Sequence, residues 1–205
     1  MSEHDFSRMR SAMVSNQLRT NAVTDTAVLA ALESVARDRF VPADRAALAY
    51  VDIPVPLGEG RSLNAPLITA RLLQEAAIKP GQTILLVGAA TGYAAALLMA
   101  LGASVTALES SAALAADARA NLGEGATVVE GPLAAGHAAS APYDAIIIDG
   151  AVDQIPASLW EQLREASVTR VVRGVHSGTS HALFPVLDAD AAPLPGFEAP
   201  KEFRF

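Results

Sequence analysis

From residue 83 onward, short apolar runs alternate with longer helix-forming stretches. Ile84 to Val87 is continuously apolar, Val128-Val129 and Ile146 to Ile148 repeat the pattern, and Val105 to Leu108 does so with Thr106 as its one polar residue. Such runs suit strands buried on both faces. We place strands at 83–87, 104–108, 126–130 and 144–148, and helices at 92–101, 111–122 and 156–165. Strand–helix alternation at this spacing predicts an α/β fold, with a mostly parallel sheet and helices on both faces. After residue 166 the pattern changes. Val168 to Val175, Ala182 to Leu187 and Phe197 to Phe205 read as closing strands, partly antiparallel, and Asp188 to Pro195 (DADAAPLP) as a loop.

The first eighty residues read differently. Residues 5–21 predict a helix with Phe6, Met9, Met13 and Leu18 on one side. Thr24 is placed to cap a second helix, along which Val28, Leu29, Leu32 and Val35 recur at helical spacing. Phe40-Val41-Pro42 breaks it. Residues 43–60, with two prolines and two glycines near their end, predict a short helix followed by irregular loop. Asn64-Ala65-Pro66 starts another helix, with Asn64 as the cap and proline in the first turn. Pro80-Gly81 is a turn. The expectation is one domain over 1–205, with a helical extension (1–80) preceding an α/β core (81–205).

Composition narrows the classes. The chain has 205 residues, 51% of them hydrophobic, which is ample for one core. Its net charge is −7, and no Lys/Arg cluster is present, which argues against a nucleic-acid partner. There is no cysteine, so disulfides, thiol nucleophiles and cysteine-ligated zinc are excluded. The start, MSEHDFSRMRSAM, has no apolar signal core, and no run approaches the roughly 18 apolar residues of a membrane span. A cytoplasmic protein is expected. The four histidines show no metal spacing, and no metal site is expected.

Candidate chemistry collects at the strand ends. Gly88-Ala-Ala-Thr-Gly92-Tyr93 follows the first apolar run and opens a helix rich in Ala and Leu. Small residues there let a ligand approach the backbone. The loop lacks the lysine of a phosphate-cradling GxxxxGK[ST] element and fits G-x-G-x-G, with Ala90 in the middle. NAD, a mononucleotide and S-adenosylmethionine remain open on the loop alone. Glu109 ends the second strand about 20 residues after Gly88, the spacing of a carboxylate on ribose hydroxyls. Its competing reading is a helix-start charge favoured by the dipole of the helix that begins at Ser110 or Ser111. Glu130 and Asp149 end the third and fourth strands, positioned for an adenine amino group or an ammonium, or simply for solvent.

These pieces resemble the protein-L-isoaspartate O-methyltransferase family, over roughly residues 10–165. The resemblance is carried by Met13-Val14-Ser-Asn-Gln17-Leu18, by Arg37-Asp-Arg39-Phe40-Val41-Pro42, and by Ala49-Tyr50 with Pro56-Leu57-Gly58. It continues through Leu86-Val87-Gly88 to Gly92-Tyr93 and through Ala141-Pro142-Tyr143-Asp144-Ala145-Ile146-Ile147. Ile155-Pro156, Leu159 and Gln162-Leu163 extend it. It implies a Rossmann-like S-adenosylmethionine-dependent methyltransferase that methylates carboxylates of isoaspartyl residues in damaged proteins. On that resemblance Gly88, Ala90, Gly92, Tyr93, Glu109, Glu130, Gly131 and Asp149 would bind S-adenosylmethionine. Leu63, Asn64 and Pro66 would meet a protein or peptide carboxylate, with Asn64 in the catalytic position. A carboxylate is already ionised near pH 7, so orientation and water exclusion suffice without a general base.

The sequence departs from the family at ligand-facing positions. Asn64 stands where the family's Ser-x-Pro element has serine. Gly131-Pro132-Leu133 replaces a Gly-Asp-Gly whose acid faces adenine, with Glu130 one position earlier as the compensating acid. Glu165-Ala166-Ser167 replaces a glycine pair. A divergent member is implied, either a methyltransferase or a catalytically impaired binder of the same cofactor with a regulatory or different-acceptor role. A nicotinamide-linked oxidoreductase is the remaining reading, and the Tyr-x-x-x-Lys element it would favour is absent.

Overall fold

The computed structural model describes residues 2–164, 168–170, 172–177, 180–185 and 194–197. The chain opens with α1 (Glu3–Ala12), started by a reciprocal capping box between Ser2 and Asp5. The expected single helix over 5–21 is corrected. Helix α1 passes into a π turn at Met13–Leu18 and a 3-10 turn at Arg19–Asn21. Met13 and Leu18 are five residues apart, and widening the turn buries both. Helix α2 (Thr26–Ser34) buries Val28, Leu29 and Leu32 as its spacing predicts. Its cap is Asp25, not Thr24: the Asp25 carboxylate accepts the N–H groups of Ala27 and Val28 at 2.8 and 3.0 Å.

A β-hairpin, β1 (Val55–Gly58) and β2 (Arg61–Leu63), occupies part of the predicted loop. Gly58, Glu59 and Gly60 all have positive φ, and the two glycines make the tight reversal possible. Helix α3 (Pro66–Ala76) carries proline in its first turn. Asn64 does not cap it. The cap residue is Ala65, and the Asp52 carboxylate accepts the Leu67 N–H at 2.9 Å.

The core sheet is parallel, in the order β5 (Thr127–Glu130), β4 (Ser104–Glu109), β3 (Thr83–Val87), β6 (Ala145–Ile148). Between them run α4 (Tyr93–Ala100) and α5 (Ala112–Leu122). Alternation along β3 divides two cores. Ile84 and Leu86 join one with the N-terminal helices, α3, α4 and α5. Leu85 and Val87 join another with Leu133, Tyr143, Leu159, Trp160, Leu194 and Phe197. The first cluster runs without a break from residue 13 to residue 147, so the extension and the sheet share one buried interior.

On the second face the helix expected over 156–165 shortens to α6 (Ala157–Trp160). The chain leaves it because Gln162 turns inward, donating to Ala135 O and Ser158 O and accepting the His137 N–H. Leu163 then bridges Tyr143 in parallel. Beyond it, β7 (Val168–Arg170), β8 (Val172–Ser177) and β9 (Ser180–Pro185) form an antiparallel sheet of their own, so the strand expected over 168–175 is two strands, and the three pair among themselves rather than closing the core sheet. Residues 165–167, most of the 188–195 loop and 198–205 lie outside the described residues. Phe197, expected in a strand, is buried in the second core without strand pairing.

Asp144 locks the entry to the sheet. Its carboxylate accepts the Thr83 N–H and hydroxyl, both at 2.8 Å, and Arg164 Nε at 2.8 Å. The Thr83 bonds, then Arg164, hold its acidity below the ordinary carboxylate value. That stabilisation is present above the unfolded value of about 3.9 and is lost as pH falls through the lower folded value. Asp144→Ala is expected to cost about 1–3 kcal/mol at neutral pH. In urea titrations the difference from wild type shrinks at acid pH.

Candidate functional site

The register brings the predicted strand ends into one row. Val87 pairs with Leu108 and with Ile148, which sets Gly88 level with Glu109 and Asp149. Glu109 pairs with Glu130. All lie at the carboxyl edge of the parallel sheet, where open α/β sheets bind ligands.

The loop between β3 and α4 turns by positive φ at alternate positions: Gly88 (+82°), Ala90 (+49°) and Gly92 (+96°). Its main chain is fastened to the end of β4. Gly88 and Ala89 donate to Leu108 O at 2.9 and 3.0 Å. Ala90 donates to Glu109 Oε2 at 2.7 Å. Glu109 is 0% exposed, and its Oε1 also accepts the N–H groups of Ser110 and Ser111 at 2.8 and 3.0 Å. The helix-start reading of Glu109 is thus met in its N–H partners at Ser110 and Ser111. One carboxylate serves the glycine loop and the approach to α5, whose own cap is Ser111.

Two arginines complete the site. Arg61, from β2, is 6% exposed; its Nη1 lies 2.7 Å from Glu109 Oε1 and its Nη2 donates to Gly88 O at 3.1 Å. Arg37 is fully buried, donates through Nε to Ala49 O and through Nη2 to Asn64 O, and lies 4.8 Å from the centre of the Tyr93 ring. Burial lowers the Arg37 guanidinium's basicity and, for Tyr93, raises the phenol above its ordinary range.

Asn64 donates through Nδ2 to Asp149 Oδ1 at 2.7 Å. Burial raises Asp149 above the usual carboxylate range, against the opposing pull of Asn64, Arg61 and Arg37. Leu63 and Pro66 are buried beside Asn64. Glu130 is exposed beside Glu109 in the register, and Gly131 is partly buried and donates its N–H to Glu109 O at 3.0 Å. Tyr93 is enclosed by Phe40 and Arg37 rather than facing open space.

Gly92 is packed against α5. Bulk there acts on packing, because a Cβ would lie 3.0 Å from Leu122 Cδ1 and 3.5 Å from the Ala118 main chain in α5. At Gly88 a Cβ would instead meet the Leu194 methyls at 3.0 Å and Arg61 Nη2 at 3.2 Å. Arg61, Arg37 and Leu194 were not singled out as site residues. Arg37 lies in a stretch that carries the resemblance. Arg61 was detectable only as the cation following Gly-Glu-Gly, and Leu194 sits in a presumed loop.

Gly92→Val is expected to cost roughly 2–5 kcal/mol, combining left-handed strain and overpacking against α5. Ala90→Gly relieves a left-handed alanine and is expected to stabilise by about 0.5–1 kcal/mol after glycine's entropy cost. Denaturant midpoints at constant slope check both.

The sequence profile of the protein-L-isoaspartate(D-aspartate) O-methyltransferase family matches residues 8–187. A protein-L-isoaspartate O-methyltransferase of Methylorubrum populi is 42% identical over 159 residues, covering 76% of this chain and 75% of its own. One from Koribacter versatilis is 39% identical over 185 residues, covering 88% and 82%. A Plasmodium falciparum structure named for the same activity, in complex with S-adenosyl-L-homocysteine, aligns with a TM-score of 0.73 at 17% identity, over 90% of this chain and 97% of that one. That likeness shows the Rossmann-like methyltransferase fold. Among the described residues no helix is long and apolar enough to cross a membrane.

Proposed function

The chain belongs to the protein-L-isoaspartate(D-aspartate) O-methyltransferase family, and on that premise we propose that it transfers a methyl group from S-adenosylmethionine to a carboxylate of a damaged protein or peptide. The observation that carries this reading is Glu109, a fully buried carboxylate bonded to the glycine loop at the carboxyl edge of the sheet. The residues fit such a ligand. The space over Gly88 is bounded by the ends of two side chains, Arg61 and Leu194, rather than by backbone. When bound there, the cofactor supplies an electrophilic methyl on a sulfonium.

In this reading Glu109 grips the ribose hydroxyls, and Gly88 lets the backbone approach. Asp149 offers a carboxylate one strand away, and it also fixes the Asn64 amide. Asn64, held at both its side chain and its carbonyl, orients the acceptor carboxylate by hydrogen bonding. Asn64 would hold an acceptor oxygen in line for the cofactor's methyl, with the thioether sulfur as leaving group. An ionised acceptor carries no proton to remove, so no residue is needed as a base. The roof made by Arg37, Phe40 and Tyr93 keeps one side of the site dry.

The test pairs calorimetry with S-adenosylhomocysteine and a methyl-transfer assay on isoaspartyl against ordinary aspartyl peptide. Binding and turnover specific to the isoaspartyl peptide are expected. Glu109→Gln is expected to weaken S-adenosylhomocysteine by about 1–3 kcal/mol, and Asn64→Ala to lower kcat/KM roughly ten- to a hundredfold. Asparagine at position 64, hydrogen-bonded to Asp149, favours a second reading as a non-catalytic binder. Tight binding with no turnover on either peptide would support it.

A further inference from the structure

The two oxygens of Glu109 are unequally engaged. A carboxylate offers about two acceptor directions on each oxygen. Oε1 accepts Arg61 Nη1 at 2.7 Å and the Ser110 and Ser111 N–H groups at 2.8 and 3.0 Å, with the Ser110 hydroxyl at 3.3 Å. Oε2 accepts the Ala90 N–H at 2.7 Å and keeps a direction open. A sugar diol that sets one hydroxyl on each oxygen finds room at Oε2 and must displace a donor at Oε1. The main-chain donors are fixed by the loop and the turn into α5, whereas Arg61 reaches in from β2 on a long side chain. The same guanidinium covers Gly88, with Nη2 donating to its carbonyl and standing 3.2 Å from where a Cβ would be.

A buried guanidinium deprived of its counter-ion is strongly unfavourable. Asp149 is already engaged with Asn64. We propose that Arg61 is an exchangeable counter-ion: it holds Glu109 while the site is free, yields it to the ligand's sugar, and passes to a ligand carboxylate. This rests on the cofactor assignment above. Both the amino-acid tail of the cofactor and the acceptor carry such a carboxylate.

Calorimetry with adenosine, which has the sugar but no carboxylate, and with S-adenosylhomocysteine, which has both, separates the two halves of the exchange. Arg61→Gln is expected to bind adenosine about tenfold more tightly than wild type, because the competitor for Glu109 is gone. Its preference for S-adenosylhomocysteine over adenosine falls at least tenfold. If the acceptor supplies the carboxylate instead, that preference stays unchanged and the KM for isoaspartyl peptide rises at least tenfold. An adenosine affinity within twofold of wild type overturns the proposal. So does a variant that changes neither the preference nor the peptide KM. On the wild-type protein, the Arg61 guanidinium NMR resonance is expected to shift on saturation with S-adenosylhomocysteine. An unmoved resonance overturns the exchange without relying on any variant. Failure of wild type and Arg61→Gln alike to bind either ligand instead overturns the cofactor assignment.

Discussion

The carboxylate of Glu109 is the point on which the site depends. It gathers three main-chain N–H groups, from the glycine loop and from the turn into α5, and one guanidinium from the hairpin. The strand end, the loop and the hairpin therefore cannot move independently. Breaking one side of such a buried pair costs on the order of 3–5 kcal/mol, although its formation adds little net stability because both ions lose water. The pair is better understood as fixing geometry than as holding the fold together.

A second set of contacts ties the extension to the loop. Thr91 Oγ1 donates to Phe40 O at 2.6 Å, Asn121 donates to Thr91 O at 3.0 Å, and Arg37 spans Ala49, Asn64 and Tyr93. The first third of the chain is thus fastened to the glycine loop and to Asn64. Its apolar residues are continuous with the core against the sheet, where close packing resists displacement.

The parallel sheet was legible because each central strand is a short apolar run, and local composition reports such burial directly. The row Gly88, Glu109, Glu130, Asp149 followed from strand ends and spacing. What escaped was long-range. The strands of the hairpin are four and three residues long and contain Pro56, so composition alone reads as loop. Thr24 lost the cap of α2 to its neighbour Asp25, and Asn64 lost that of α3 because its amide found a partner 85 positions away. Arg61 and Leu194 meet over Gly88 only once the chain is folded, and no local pattern marks either. The short α6 has the same origin, a glutamine whose partners lie on a loop some 25 residues earlier.

The packing of Gly92 against Leu122 and the Ala118 main chain means that the glycine loop shares its footing with α5. Positions 92 and 122 can then drift only in concert. A bulkier residue at 92 would push on Leu122 and on the Ala118 main chain together. Among relatives positions 92 and 122 should covary in size whatever small molecule each protein has come to accept.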